Sequence, residues 1–213
     1  MSLGERGLRV RIIETARRMN TADMNQGRSG NVSARVEGGF LVTPTGVPYE
    51  ALNPPDLVFM RGDGERVGTY TPSSEWRIHR DIYEKRPEAG AIVHTHSPYA
   101  TSIACLRRGI PSFHYEVAFA GGSDIRCADY ATFGTQALSD NALAGLEGRH
   151  ACLLANHGVV ALGRDIDEAF AMAAKVEALA RLYWQALQAG EPALLDDAEM
   201  ARVLEKFRTY GRE

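Results

Sequence analysis

Ala91-Ile92-Val93-His94-Thr95-His96 is an apolar run that ends in two histidines, and how it is read decides the architecture. Its uninterrupted apolar start reads as a buried strand. Side chains alternate faces along a strand, so histidines at i and i+2 present their rings on the same side. Further along, Ala155-Asn156-His157-Gly158 holds another histidine in a glycine-flanked turn. A third imidazole delivered from a separate segment gives three neutral nitrogens and leaves one position of a tetrahedral zinc free. That is the arrangement of a catalytic rather than a structural metal. A lone histidine on a strand is usually a satisfied core residue; this pair with His157 turns the reading to metal ligation by His94, His96 and His157. Three imidazoles favour zinc and also accept cobalt or manganese. Glu75, at the start of a predicted helix, is placed to act as a base beside that metal. His79 follows Glu75 by four residues and could share its helix face; His114 and His150 lack any such context.

Working outward, apolar residues at helical spacing from Leu8 to Met19 predict an amphipathic helix over residues 5–25, broken by Gly27 to Gly30. Residues 31–36 and 40–43 read as a hairpin across Glu37-Gly38-Gly39, and residues 57–60 as a strand before the turn Gly62-Asp63-Gly64. A helix is predicted from Ser73-Ser74-Glu75 to about Lys85, where Pro87 stops it, and another over 98–106. Residues 132–146 read as helical, 151–155 and 159–162 as strands, and 166–187 and 196–207 as helices. Strands mixed with helices, several joined by short turns, favour a layered α/β fold. Its central, largely antiparallel sheet is covered by helices. At 213 residues with no linker or repeat, the chain reads as one domain over residues 1–213.

Composition narrows the chemistry. A net charge of −3 and no long basic run argue against a nucleic-acid partner or an acidic membrane surface. No apolar stretch has the length of a transmembrane helix, and the N-terminus carries no signal-like apolar region. Three widely spaced cysteines without a Cys-x-x-Cys motif read as reduced thiols, and a cytoplasmic location is expected. Only Lys85, Lys175 and Lys206 represent lysine, none in an apolar strand that would depress its pKa, so imine chemistry is not expected.

Three loops carry small residues and hydrogen-bond donors: Gly27-Arg28-Ser29-Gly30-Asn31, Thr43-Pro44-Thr45-Gly46 and Ser73-Ser74-Glu75. The last reads equally as a helix N-cap with an acidic first turn or as a phosphate site at a helix start. None is a Walker loop or a dinucleotide fingerprint. Three such loops around a metal point to a phosphorylated small molecule rather than a nucleotide.

The segments Gly30-Asn31-Val32-Ser33, Thr43-Pro44-Thr45-Gly46, Pro72-Ser73-Ser74-Glu75-Trp76, Val93-His94-Thr95-His96, Tyr130-Ala131-Thr132-Phe133-Gly134-Thr135 and Asn156-His157-Gly158 occur in this order. Together they resemble the class II aldolase/adducin family over nearly the whole chain. The tail from Glu205 to Gly211 is similar to its aldolase branch. The resemblance implies zinc on His94, His96 and His157, with Glu75 completing the resting site. Gly30, Asn31, Thr45, Gly46, Ser73 and Ser74 would cradle a ketose phosphate. Tyr115, Phe133 and Tyr210 would position the aldehyde half, with groups drawn from different subunits of a cyclic homotetramer. Asn156 departs from the branch, which can carry a second histidine there, and Glu116 has no assigned role.

The expected reaction is reversible cleavage of a ketose 1-phosphate to dihydroxyacetone phosphate and an aldehyde, through an enediolate that zinc stabilises as a Lewis acid. Expected substrates are L-fuculose 1-phosphate or a related 5-deoxy sugar phosphate, with 5-methylthioribulose 1-phosphate as a variant. Alternatives within the resemblance are a methylthioribulose-1-phosphate dehydratase, for which Glu116 is an argument, and a sugar-phosphate epimerase. A non-catalytic adducin-like scaffold would not need three ligands and a base.

Overall fold

The structure, a computed structural model, describes residues 3–209. The first helix, α1, is Leu3–Thr21, and the predicted hairpin is β1 (Asn31–Val36) against β2 (Gly39–Val42). β3 (Val58–Arg61), a two-residue β4 (Arg66–Val67) and α2 (Trp76–Lys85) follow. The histidine-bearing strand is β5 (Ala91–Thr95), and α3 (Pro98–Cys105) comes directly after it. Then come β6 (Cys127–Ala128), α4 (Gln136–Gly145), β7 (Ala151–Leu154), β8 (Gly158–Gly163), α5 (Ile166–Ala189) and α6 (Asp197–Thr209). No described helix is long and apolar enough to cross a membrane.

The eight strands form one sheet in the order β4-β3-β2-β1-β5-β8-β7-β6, antiparallel except for β6 beside β7. β5 lies inside it because all five of its residues are buried. Ala91 and Val93 enter one apolar layer with Val159 and Ala161 of β8 and the inner faces of α1, α3 and α5. Ile92 enters the opposite layer, where Ile78 and Ile82 of α2 meet Leu138 and Ala142 of α4. A strand without polar side chains is stable only where both faces are dry. The sheet is thus largely antiparallel and covered by helices, as the sequence indicates.

Alternation then assigns the polar positions. His94 shares the α2/α4 face with Ile92, and the β1–β5 register sets Asn31 opposite His94 and Ser33 opposite Ile92. Two neighbouring strands therefore bring polar side chains to the same end of the same face, beneath the start of α2.

Some boundaries differ from the sequence reading. α1 stops at Thr21, because Asp23 adopts a left-handed φ of 54° and residues 22–25 turn away. The helix predicted over 132–146 begins only at Gln136: the Thr135 hydroxyl accepts the Leu138 N–H at 3.3 Å as an N-cap, and Gly134 has a φ of 75°. The N-cap reading of Ser73-Ser74-Glu75 does not hold. Glu75 occupies the cap position of α2, and its side chain makes no capping bond.

Ile92 is fully buried in the central strand. Ile92→Ala is expected to cost about 2–5 kcal/mol of stability. Chemical denaturation should show a lower midpoint with an unchanged slope; an unshifted midpoint would contradict this placement.

Candidate metal centre and anion pocket

His94 is the penultimate residue of β5, His96 follows just past the strand's end, and the turn between β7 and β8 supplies His157. Two backbone features close that turn. Asn156 has a φ of 54°, and a Cβ on Gly158 would fall 2.3 Å from the Thr95 carbonyl oxygen. Only glycine lets β8 close on β5 there.

The three imidazoles form a propeller, with centroids 4.8–4.9 Å apart and planes inclined by 76–82°. One nitrogen from each ring lies within 4.8 Å of the corresponding nitrogens of the other two. His94 Nε2 and His96 Nε2 are 3.0 Å apart. The Nδ1–H of His94 donates to the Val159 carbonyl at 2.8 Å, which in the neutral ring leaves Nε2 as the lone pair facing the centre. Glu75 closes the fourth side: Oε2 is 3.1 Å from His94 Nε2, and Oε1 is 3.0 Å from His157 Nε2. That Oε1 is buried, yet no donor is aligned to hydrogen-bond it. Converging lone pairs and an orphaned carboxylate oxygen fit a divalent cation. Donors about 2.0–2.1 Å from a common zinc stand roughly 3.3 Å from one another.

Charge follows the same geometry. Burial opposes ionisation of Glu75, but the facing His94 and His157 outweigh it and hold the carboxyl well below its usual range. Burial likewise opposes charge on His94, and Glu75 reverses the balance, raising its pKa above the ordinary imidazole value. His96, partly buried and facing the other two rings, is pushed down to about 3.

Above this centre opens a cavity of about 310 Å³. Its polar lining includes Gly30, Asn31, Thr45, Ser73, Ser74 and Arg28, the one arginine or lysine lining it among the described residues, and its apolar part includes Tyr130, Ala131 and Phe133. Gly30 has a φ of 81°, and a Cβ there would fall 2.6 Å from the His94 carbonyl, so the loop can lie against β5 only as glycine. Arg28 Nη1 donates to the Gly46 carbonyl at 2.6 Å and ties two of the three donor loops together.

The structure gathers most of the expected residues here. His96, His157, Glu75, Gly30, Asn31, Thr45, Ser73, Ser74 and Phe133 line the cavity, His94 lies buried under them, and Gly46 stands behind Arg28. Tyr115 is not brought to it: that side chain is 49% exposed, against His114 and Phe207. Tyr210 lies outside the described residues. Glu116 pairs with Lys175 at 3.1 Å, away from the cavity lining. His79 is not among the ligands but is buried between Ser33 and Asn31. Arg28 and Tyr130, to which the sequence assigned no role, also line the cavity, as does Asn156, the departure from the aldolase branch. An arginine inside a glycine and serine loop was a usable signal for the first. Asn156 accepts from Arg107 Nε at 2.9 Å, which occupies its amide oxygen.

Residues 10–184 match the profile of the Class II Aldolase and Adducin N-terminal domain. A Rhodospirillum rubrum protein named 5-methylthioribulose-1-phosphate/5-deoxyribulose-1-phosphate aldolase is 53% identical, over 96% of this chain and 92% of its own. An Escherichia coli L-fuculose phosphate aldolase is 46% identical, over 94% of each chain. A solved L-fuculose 1-phosphate aldolase superposes with a TM-score of 0.91 at 38% identity, over 95% of this chain and 96% of that one.

In the metal-free protein the raised pKa of His94 keeps a proton on a group that must be neutral to ligate. Zinc affinity should therefore fall as pH drops through that value, by up to about tenfold per pH unit for each proton displaced. Competition titration with a chromogenic chelator at about pH 6 and pH 8 reads this directly. Equal affinity at both would show that no proton is displaced.

Proposed function

The chain belongs to the class II aldolase and adducin family, and from that premise we propose that it is a zinc-dependent ketose 1-phosphate aldolase. Its substrate would be a sugar phosphate with a deoxygenated far end, split reversibly to dihydroxyacetone phosphate and a small aldehyde. The observation that carries this reading is Glu75. It is an ionised carboxylate shared between two candidate ligand histidines, at a cavity whose polar lining is mostly hydrogen-bond donors.

Cleavage beside a ketone leaves an electron pair that needs a sink, and no lysine lines the cavity. His94, His96 and His157 would hold a zinc ion, which supplies a Lewis acid at the reacting oxygens. In the condensing direction Glu75 takes a proton from C3 of dihydroxyacetone phosphate, and the electron pair left behind closes the bond to the aldehyde carbon. In cleavage the same carboxyl returns the proton to C3. Gly30, Asn31, Thr45, Gly46, Ser73 and Ser74 form the phosphate cradle, with Arg28 as the balancing cation. Holding the unreactive end in this way fixes C3 against Glu75.

The aldehyde oxygen needs an acid. Tyr115 stands apart from the cavity of its own chain, and its exposure suits a role in the cavity of a neighbouring copy within a cyclic tetramer. Tyr210 is the second such group on the tail. Dehydration is less well served, because Glu116 is held by Lys175.

The sugars named for the two relatives share a terminus without its hydroxyl, and the apolar stretch of Tyr130, Ala131 and Phe133 suits such an end. The 5-deoxypentulose phosphates, including 5-methylthioribulose 1-phosphate, come first, and L-fuculose 1-phosphate second. The test is release of dihydroxyacetone phosphate from each, coupled to NADH oxidation. Zinc-loaded protein should cleave at least one, and chelation should abolish it. Glu75→Gln should lower kcat by roughly 10²–10⁴-fold with a smaller change in KM. Failure of all three sugars with zinc bound would refute the assignment.

A further inference from the structure

A line of buried hydrogen bonds runs to Asn31, Ser73 and Glu75 of the cavity from Tyr83, Ser33 and His79, which the reaction itself does not use. Tyr83 Oη is 2.7 Å from Ser33 Oγ, which is 2.6 Å from His79 Nδ1. His79 Nε2 is 2.5 Å from Asn31 Oδ1. Asn31 Nδ2 then donates to Ser73 Oγ at 2.8 Å and to Glu75 Oε2 at 3.0 Å. Ser33 and His79 are fully buried and Asn31 nearly so, so water cannot substitute for a missing partner.

The direction of every bond follows from its two ends. Ionised Glu75 can only accept, so Asn31 must turn its NH2 group to the carboxylate and its oxygen to His79. His79 must then carry its proton on Nε2, which leaves Nδ1 to accept the Ser33 hydroxyl hydrogen. Ser33 in turn accepts from Tyr83, a phenol whose burial keeps it protonated. His79 is itself held neutral by burial, so it can play both parts at once.

The consequence falls on Ser73. Its oxygen accepts from Asn31 Nδ2 and also from the Glu75 backbone N–H at 3.3 Å, which fills both lone pairs. Its own hydrogen is therefore left to point into the cavity that Ser73 lines. With the Asn31 amide reversed, Asn31 Oδ1 would stand against the Glu75 carboxylate, and Ser73 would spend its hydrogen on Asn31.

We propose that His79 is a positioning residue whose Nε2–H sets the orientation of the Asn31 amide and thereby commits the Ser73 hydroxyl as a donor to the substrate phosphate. This rests on the reading of the cavity as a sugar-phosphate site. It assigns His79 a part in binding that its burial against Phe40 does not suggest.

Two substitutions separate this role from simple packing. In His79→Gln the side-chain NH2 reaches the position of Nε2 and retains the donor to Asn31. In His79→Asn the amide reaches only the position of Nδ1 and loses it. Both remove the same ring from the core, so their stability losses should be similar. His79→Gln should keep KM for the cleaved sugar phosphate and Ki for inorganic phosphate within about threefold of the parent. His79→Asn should raise both by roughly ten- to a hundredfold, with a smaller change in kcat. Equal values for the two variants would reduce His79 to a space-filling residue. Nitrogen-15 NMR of the parent protein provides a second reading that needs neither variant to fold well: His79 should be neutral with its proton on Nε2, and a proton on Nδ1 would overturn the proposal. If the parent itself neither cleaves the sugars nor binds phosphate, the cavity reading falls and the proposal with it. If the parent does both and the variants do not differ, only the proposal falls.

Discussion

A carboxylate taken out of water costs several kcal/mol unless other groups replace its hydration, and the burial of Glu75 is the constraint on which this site depends. The side chain is only 6% exposed. Three groups face its oxygens: His94 and Asn31 on one, His157 on the other. Each comes from a different segment, so the carboxylate is accommodated only when β1, β5 and the β7–β8 turn are all in place. The same arrangement that satisfies the charge aligns three imidazole nitrogens toward it. The candidate metal centre and the burial of Glu75 are thus one solution to one electrostatic problem.

Period-two alternation is what made the centre legible in the sequence. Once residues 91–96 read as a buried strand, His94 and His96 had to share a face, and a polar pair facing a covered layer needs a reason. The antiparallel sheet, the covering helices and the histidine triad follow from that reading and from the turns around it. The two-residue strands β4 and β6 were invisible because two residues carry no period. The start of α4 was misplaced because Thr132 to Thr135 are chemically compatible with a first helical turn, while the Thr135 cap and the left-handed Gly134 act through backbone geometry.

His79 illustrates a deeper limit. Four residues after Glu75, it has the spacing to join a carboxylate on one helix face, but Glu75 sits at the cap position and its side chain makes no capping bond. The ring instead meets β1, in the space between Ser33 and Asn31. Which side of a helix a histidine faces can be inferred from the apolar period; which strand lies under that side depends on sheet order, and β1 beside β5 is a long-range fact. Arg28 was only half legible: its glycine and serine loop marks a donor site, but its bond to the Gly46 carbonyl at the cavity is a long-range fact.

The cavity divides its labour between buried and exposed scaffolding. The residues proposed to meet the metal and the phosphate hang from the sheet or from loops that lie against it, as Gly30 lies against β5 at a distance that no Cβ could tolerate. Its apolar part is different, with Phe133 66% exposed and Tyr130 53% exposed on the segment before α4. Side chains that exposed gain little from their own chain and would be stabilised by whatever covers them, whether substrate or a neighbouring copy. Reaction chemistry can therefore stay constant while the turn around Phe133 changes. A related chain can keep the triad, Glu75 and the cradle intact and still prefer a different aldehyde. Relatives that share this fold but carry different sugar names are the outcome such a division would produce.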